Sequence, residues 1–432
     1  MNENSIMPID EKPIKLWNFN FILLWQGLLI SEVGDIIYDI ALSFYVLAQT
    51  GSTLMMSYML AATVLPRVLL SPFAGIIADK SDKISIIVIA DLVRGVAILI
   101  IGLLGLFGHL QIWMLFIAGI IMGVGQSFFS PTINAVLPDV AHRSKLMAAN
   151  AAFSLVQALS SILGYFGGGL LYAWLGAFIL FILNGVSYLI SAVSELYLTL
   201  NPKTDDLETV LKSEPKNELI IKTNISREFI DLLKSVWRQP GLRYLLISNA
   251  LLNYFSFLGL TLILPYFESK KEWGATYYGI TMGVFTLGTI LGLLLLTKYT
   301  IAHKYRARSY VVAAALFSVL LAPAAFISNF WVLVVPIFMA GFCSAVSIVI
   351  ERNALLSSIV PDSRAKVFGI WSAISSVLTP IGMISAGVLA QYFKLQNLIS
   401  FVFGILALII LTLSFNADFM NFLNGKDEIL EI

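Results

Sequence analysis

Apolar runs long enough to cross a hydrocarbon core as a helix, about 20 residues each, recur along this chain. They fall near 19–47, 53–77, 85–107, 112–136, 146–169 and 175–199. A polar stretch, 201–240, interrupts them. Six more follow near 242–267, 276–298, 309–328, 331–355, 365–390 and 396–416. The pattern predicts an all-α membrane protein of twelve transmembrane helices in two six-helix bundles, 1–200 and 241–432, joined by the linker 201–240. Within that linker, 201–222 is rich in Lys, Glu, Asp, Asn and Pro. From Ser226 to Arg238, Phe229, Leu232, Leu233, Val236 and Trp237 keep helical spacing among charged residues, which predicts an amphipathic helix on the inner membrane surface. It either tethers the halves or senses lipid.

The two sets read as copies of one unit. Pro138-Asp139 recurs as Pro361-Asp362, and the same offset of 223 carries Gly164 onto Gly387, Gly51 onto Gly274 and Thr53 onto Thr276. Parallel six-span repeats place a substrate cavity at their interface, near the bilayer midplane. Orientation follows from basic residues in the short loops. Lys80, Lys83, Arg143, Lys145, Lys298, Lys304, Arg306, Arg308, Arg364 and Lys366 lie on one side; Lys270, Lys271 and Lys394 lie on the other. Ten against three puts both termini and the linker on the cytoplasmic side.

Composition agrees with a membrane class. Of 432 residues, 58% are hydrophobic and 12% charged, about half the charged share of a soluble protein, and the mean hydropathy is +0.87. A net charge of +1 offers no case for nucleic-acid binding. Cys343 is the single cysteine, so no intrachain disulfide forms. The first sixteen residues lack the basic start, short apolar core and cleavage site of a signal peptide, so the first span is expected to be retained.

Charges inside the spans are the informative exceptions. Glu32, Asp35 and Asp39, at i, i+3 and i+7, share one face of the first helix, and Ser43 extends that stripe. Arg67 lies inside the second span, Asp91 and Arg94 inside the third. An ionisable group in hydrocarbon costs about 2.5–3.5 kcal/mol on insertion scales, so it persists mainly where it faces a cavity or a partner. At 1.5 Å of rise per residue, Glu32, Arg67, Asp91 and Arg94 reach similar heights and are expected to form a charge network. Asp91 and Arg94, at i and i+3, also fit a simple pair on one helix. With offset 223, the mates of Glu32, Asp35 and Asp39 are Phe255, Leu258 and Leu262, so the second half carries no matching acids. Its seventh helix offers Asn249, Asn253, Tyr254 and Phe257 instead, either lining a cavity for an amphipathic, cationic ligand or gluing helices together. Gln126, Gln157, Ser161, Ser375 and Thr379 are further lining candidates. Glu351 and Arg352, adjacent in the tenth span, read as cytoplasmic gate contacts.

The turn Gly75-Ile76-Ile77-Ala78-Asp79-Lys80-Ser81-Asp82-Lys83 resembles the signature loop of the major facilitator superfamily. A narrower similarity, to its macrolide-efflux-type and siderophore-exporter-like branch, rests on several short motifs. These are Gly34-Asp35, Thr50-Gly51-Ser52, Pro66 with Ser71-Pro72, Ala90-Asp91 with Arg94, Ser130-Pro131, Arg227-Glu228, and Val367-Phe368 with Thr379-Pro380-Ile381-Gly382. The resemblance implies the major facilitator fold, secondary active transport and export. It also implies a gating loop of Gly75, Asp79, Asp82 and Lys83, with Arg143 and Arg364 as neighbours. One departure stands out: Gly164-Tyr165-Phe166-Gly167-Gly168-Gly169 puts Tyr165 where antiporters of the superfamily often carry proline.

A proton-coupled transporter needs a carboxylate that alternates between protonated and ionised forms. Burial favours its proton, and a neighbouring guanidinium opposes it. Asp35 and Asp39 have no obvious basic residue at their level and are the first proton-coupling candidates, Glu32 the third. Hydrogen bonding without titration is the alternative for both. The expected function is therefore proton-coupled efflux of amphipathic small molecules by a monomer in the lipid bilayer of the cell membrane, with the proton gradient in place of a cofactor. An importer, facilitator or lipid transporter of the same fold is the alternative, and a receptor or scaffold a remoter one. His109, His142 and His303 fall at loop ends, and no nucleophile, base and orienting group converge, so an intramembrane enzyme is not expected.

Overall fold

A computed structural model describes residues 16–141, 143–199, 234, 237–270, 272–359 and 364–425. The linker and most of its expected amphipathic helix lie outside the described residues, as do Pro361-Asp362, Lys271 and His142. Gly75, Asp79, Arg143 and Arg364 are described in their backbone alone.

Polar residues start the helices where the apolar pattern begins. Asn18 opens α1 (Phe19–Thr50) by accepting from the Phe21 N–H at 2.9 Å, and Ser52 caps α2 (Thr53–Lys80), each satisfying an otherwise unbonded donor of the first turn. Gly51, at φ 61°, ends α1 in the left-handed conformation. Asp82 caps α3 (Lys83–Leu106), followed by α4 (Ile112–Val140). The 50-residue run Leu146–Glu195 is two helices, α5 (146–175) and α6 (177–195), broken at Gly176, where φ is 73° and ψ 175°; only glycine adopts that backbone without strain. Beyond the linker come α7 (Pro240–Ser269), α8 (Gly274–Lys298), α9 (His303–Leu321), α10 (Phe330–Ser357), α11 (Arg364–Leu389) and α12 (Leu395–Leu413). A short α13 (Ala417–Leu423) closes the described chain. The expected twelve membrane helices are therefore present.

The repeat is real, but its register is not a constant 223. α7 and α8 begin 221 residues after α1 and α2 (240 against 19, 274 against 53), and α9 begins 220 after α3 (303 against 83). α10, α11 and α12 each begin 218 after α4, α5 and α6. The mates of Glu32, Asp35 and Asp39 become Asn253, Ser256 and Leu260, correcting the aromatic and aliphatic mates read from the sequence. Gly387 pairs with Gly169 rather than Gly164, and Pro138 lies inside α4 rather than beyond it.

Gly169 and Gly387 also show how the halves meet. A Cβ on Gly169 would sit 2.9 Å from the Gly279 Cα in α8 and collide with the Ala275 carbonyl; one on Gly387 would sit 2.8 Å from the Leu54 Cα in α2. These backbone-close crossings, α5 on α8 and α2 on α11, lie toward the end of the bundle opposite the basic loops. There the apolar clusters also cross between halves: Leu264 and Ala275 pack with Tyr38, Phe44 and Leu180. At the basic end, Phe21, Phe129 and Phe153 form one cluster within the first half, and Leu245, Tyr310 and Phe419 another within the second. Asn150, Ser154 and Gln157 are exposed along one face of the basic half of α5. Exposed polar groups at that depth, with the halves in contact at the opposite end, fit a crevice between the halves open toward the basic end.

A glycine-to-alanine change at these crossings overpacks the closed end, at a cost of about 1–3 kcal/mol. Gly169→Ala and Gly279→Ala should each lower the thermal unfolding midpoint of the purified protein. Gly167→Ala, whose added methyl meets only Leu171 at 4.0 Å, should leave it unchanged.

Candidate functional site

The centre of the first half is built around Arg94. Its side chain, 1% exposed, passes beside Gly125, where a Cβ would come within 2.7 Å of its Cγ and Cδ. The guanidinium lies between the rings of Phe129 and Tyr188, 4.5 Å from each centroid, an arrangement that offsets part of the lost hydration. Its Nη2 pairs with the Asp91 carboxylate one turn away, as the i, i+3 spacing predicts. Nη1 donates to Gln126 Oε1 and, at 3.3 Å, to the Tyr188 hydroxyl; Nε donates to the Ala90 carbonyl at 3.2 Å. Gln126 in turn donates to Ser130 at 3.2 Å.

Tyr188 extends this cluster to the acid stripe, because its hydroxyl donates to Asp35 Oδ1. Asp35 is thus not remote from a cation: one tyrosine oxygen separates it from Arg94. The expected grouping changes accordingly. Asp91, Arg94, Gln126, Tyr188 and Asp35 form one hydrogen-bonded network, while Glu32 and Arg67 stand outside it. Arg67 is exposed on α2, and its charge acts on Glu32, Asp35 and Asp39 without an ion pair to them among the described residues.

The three acids differ in access. Glu32 and Asp35 are half-buried, whereas Asp39 is exposed. Its electrostatic neighbours Tyr165 and Tyr278 come from α5 and α8, one from each half. Asp39 therefore sits at the apex of the crevice, beneath the closed end.

Two further carboxylates are buried, of which Glu195 escaped the sequence reading. Glu195, 1% exposed at the end of α6, accepts from the Ser191 hydroxyl at 3.2 Å and lies within electrostatic range of Asp91. A signal was present, since Asn184, Tyr188, Ser191 and Glu195 fall at i, i+4, i+7 and i+11, one polar stripe on α6. Glu351, expected at a gate, instead points inward at 7% exposure and accepts from Asn249 Nδ2; the adjacent Arg352 is exposed.

The other candidates divide. Asn249 and Asn253 come together, the second donating to the Oδ1 of the first at 3.0 Å. Tyr254 donates to Ser385 at 3.0 Å and ties α7 to α11; Phe257 is half-buried beyond it. Gln157 is exposed on α5, whereas Ser375 and Thr379 are buried within α11, each at 7% exposure. In the loop region, Lys83 pairs with Asp139 at 2.6 Å. Asp82 acts as a helix cap, bonded by the Ser85 hydroxyl and by the Ser85 and Ile84 N–H groups. Those bonds, the Ser85 hydroxyl foremost, hold its carboxyl below the usual range.

A family model described as Major Facilitator Superfamily matches residues 24–300 and 246–419. Macrolide efflux protein A of Streptococcus pyogenes is 24% identical over 380 residues, spanning 87% of this chain and 90% of the relative. Multidrug efflux pump Tap of Mycolicibacterium fortuitum is 24% identical over 379 residues, spanning 86% and 89%. Among solved structures, a bacterial homologue of the human lysosomal transporter Spinster, inward-facing and unoccupied, aligns with a TM-score of 0.67 at 13% identity. It covers 94% of this chain and 96% of that one.

Removing Arg94 alone leaves Asp91 buried and uncompensated, which typically costs about 3–5 kcal/mol. Arg94→Met should therefore unfold at a clearly lower temperature than the parent. Arg94→Met with Asp91→Leu should recover most of the loss, as measured by thermal unfolding in detergent.

Proposed function

The chain belongs to the Major Facilitator Superfamily and is a multi-pass membrane transporter, and on that premise we propose that it exports amphipathic small molecules in exchange for protons. Transport proceeds by alternating access, the two six-helix halves rocking about the glycine crossings. The basic end, with both termini, faces the cytoplasm of the cell that carries the transporter in its membrane, so the crevice described above is open to the inside.

The observation that carries this reading is Asp39: an exposed carboxylate at the apex of a crevice, one turn from Asp35. An acid there exchanges its proton with whichever compartment the crevice faces. Asp35 transmits the change inward, since its charge state alters what Tyr188 and Arg94 are bonded to. Arg67, facing the same acids, is a competing counter-charge when they ionise. Rocking is favoured by the placement of the apolar clusters, two of which lie wholly within one half at the open end. Export is supported by relatives named for macrolide and multidrug efflux. Gln157 and Ser154 on α5, with Arg352 on α10, supply the polar walls of the crevice.

Inside-out membrane vesicles test the proposal with a labelled macrolide as the first compound. The parent protein should accumulate label only while a pH gradient stands. Asp35→Asn and Asp39→Asn should each lower the gradient-driven rate at least about tenfold, a loss of about 1.4 kcal/mol or more in driving the coupled step. Accumulation that persists after the gradient is collapsed, or in the double variant, would count against proton exchange and favour a facilitator.

A further inference from the structure

The second half holds a half-open cavity of about 200 Å³ between α7, α9 and α10. Its polar side is Glu351, whose carboxylate accepts from Asn249, which accepts in turn from Asn253. Both amides thus donate toward the carboxylate, and the Asn253 side-chain oxygen remains an acceptor. The Tyr310 hydroxyl, 1% exposed, lies by Ser248 but makes no hydrogen bond of good geometry. Phe317 and Leu252 supply an apolar wall, and no Lys or Arg is among the lining residues. This carboxylate is bonded by neutral donors, Asn249 and Trp371, and has no counter-charge among the lining residues, an arrangement that is costly unless a cation or a proton completes it.

The first half shows what completes the corresponding place. Arg94 is the twelfth residue of α3 and Ala314 the twelfth of α9. Gln126 and Ser344 are each the fifteenth of α4 and α10, and Asp35 and Ser256 each the seventeenth of α1 and α7. Ala314, Ser344 and Ser256 all line the cavity. In the first half that volume is filled by a guanidinium stacked on aromatic rings and bonded to Asp91 and Gln126. In the second half the arginine and glutamine are trimmed to alanine and serine, yet a carboxylate remains, supplied now from α10.

We propose that the cavity is a subsite for the cationic head of a substrate, a guanidinium or protonated amine that brings from outside the charge Arg94 supplies from within the chain. The proposal rests on the transporter reading but not on proton exchange. The volume lies below the 300–1,000 Å³ typical of pockets that take whole drug-sized molecules, so it receives the head while the apolar body stays in the crevice. Half-buried Asn253, Ser256 and Ser344 form the way in. Glu351 pairs with the cation, the Asn253 oxygen and Tyr310 accept its N–H groups, and Phe317 packs on its face.

Methylguanidinium and N-methylurea, near-isosteres that differ in charge, separate this from non-specific solvation. Both are added at millimolar concentration to the purified full chain, far below the molar range in which guanidinium denatures, and thermal unfolding is followed. Methylguanidinium should raise the midpoint saturably and N-methylurea should not. Glu351→Gln, which keeps the bond from Asn249, should weaken the response at least about tenfold. Ala314→Arg, which rebuilds the first half's cation in place, should raise the ligand-free midpoint and abolish the response. Equal responses to the two compounds, an unchanged response in Glu351→Gln, or none in the parent chain would each overturn the proposal. No gradient is present, so Asp35→Asn and Asp39→Asn should respond as the parent does, and the outcome is independent of whether protons drive transport.

Discussion

A positive charge that cannot be neutralised, held inside the membrane, sets the terms for the first half. Arginine stays protonated at any accessible pH, so Arg94 must be surrounded by acceptors wherever the fold puts it. The surroundings come from four helices: Asp91 and Ala90 from α3, Gln126 and Phe129 from α4, Tyr188 from α6 and, through that tyrosine, Asp35 from α1. Gly125 leaves the room for the side chain, and Gly95 lets α6 come within 3.0 Å of where its own Cβ would be. Changing any of these affects the packing and the electrostatics together. Asp35 is therefore a structural partner of the network and a carboxylate beside the crevice at the same time.

The contact between halves follows a different rule. Within each half, large side chains interdigitate; across the closed end, glycines bring backbones together at Gly169 against Gly279 and at Gly387 against Leu54. Small-residue crossings of this kind draw their stability from close packing over a short length rather than from buried bulky side chains. An apolar cluster joins these crossings, with Leu264 and Ala275 packed against Tyr38, Phe44 and Leu180, so the closed end combines backbone contact with a small shared core. Asp39 lies next to this seam, with Tyr165 and Tyr278 as its neighbours from the two halves.

Much of this was legible before any coordinates. The spans, the break at the linker, the shared face of Glu32, Asp35 and Asp39, and the Asp91–Arg94 pair all follow from the 3.6-residue period and the cost of charge in hydrocarbon. What was lost depended on relations between helices. Tyr188 reads as one more aromatic in an apolar span, because only a partner on α1 and another on α3 reveal its hydroxyl as a bridge. Glu351 was placed at a gate for its position near the inner end of the tenth helix; adjacent to Arg352, it points to a different side, and only its neighbours on α7 show that this side is inward. The constant offset of 223 failed because helices and loops of the two halves differ in length: α3 has 24 residues and α9 has 19. Matching motifs one at a time averages over such slips, while matching helix starts does not.

The corrected register changes what the asymmetry of the halves means. With Phe255, Leu258 and Leu262 as mates, the polar Asn249 and Asn253 of the second half stood apart from the acid stripe of the first. With Asn253 and Ser256 as mates, the second half keeps a polar lining at the same depth and lacks a cation there. Both halves then carry carboxylates inside their spans, on non-equivalent helices and with different access. Asp39 is exposed and Asp35 half-buried beside Tyr188, the access that the proposed proton exchange needs. Glu351 is buried beside the cavity between α7, α9 and α10, bonded by neutral groups with no lysine or arginine lining the site. The same scaffold thus holds acids in two settings, one at the seam between the halves and one within the second half, where the proposed cation would supply the charge that Arg94 supplies in the first.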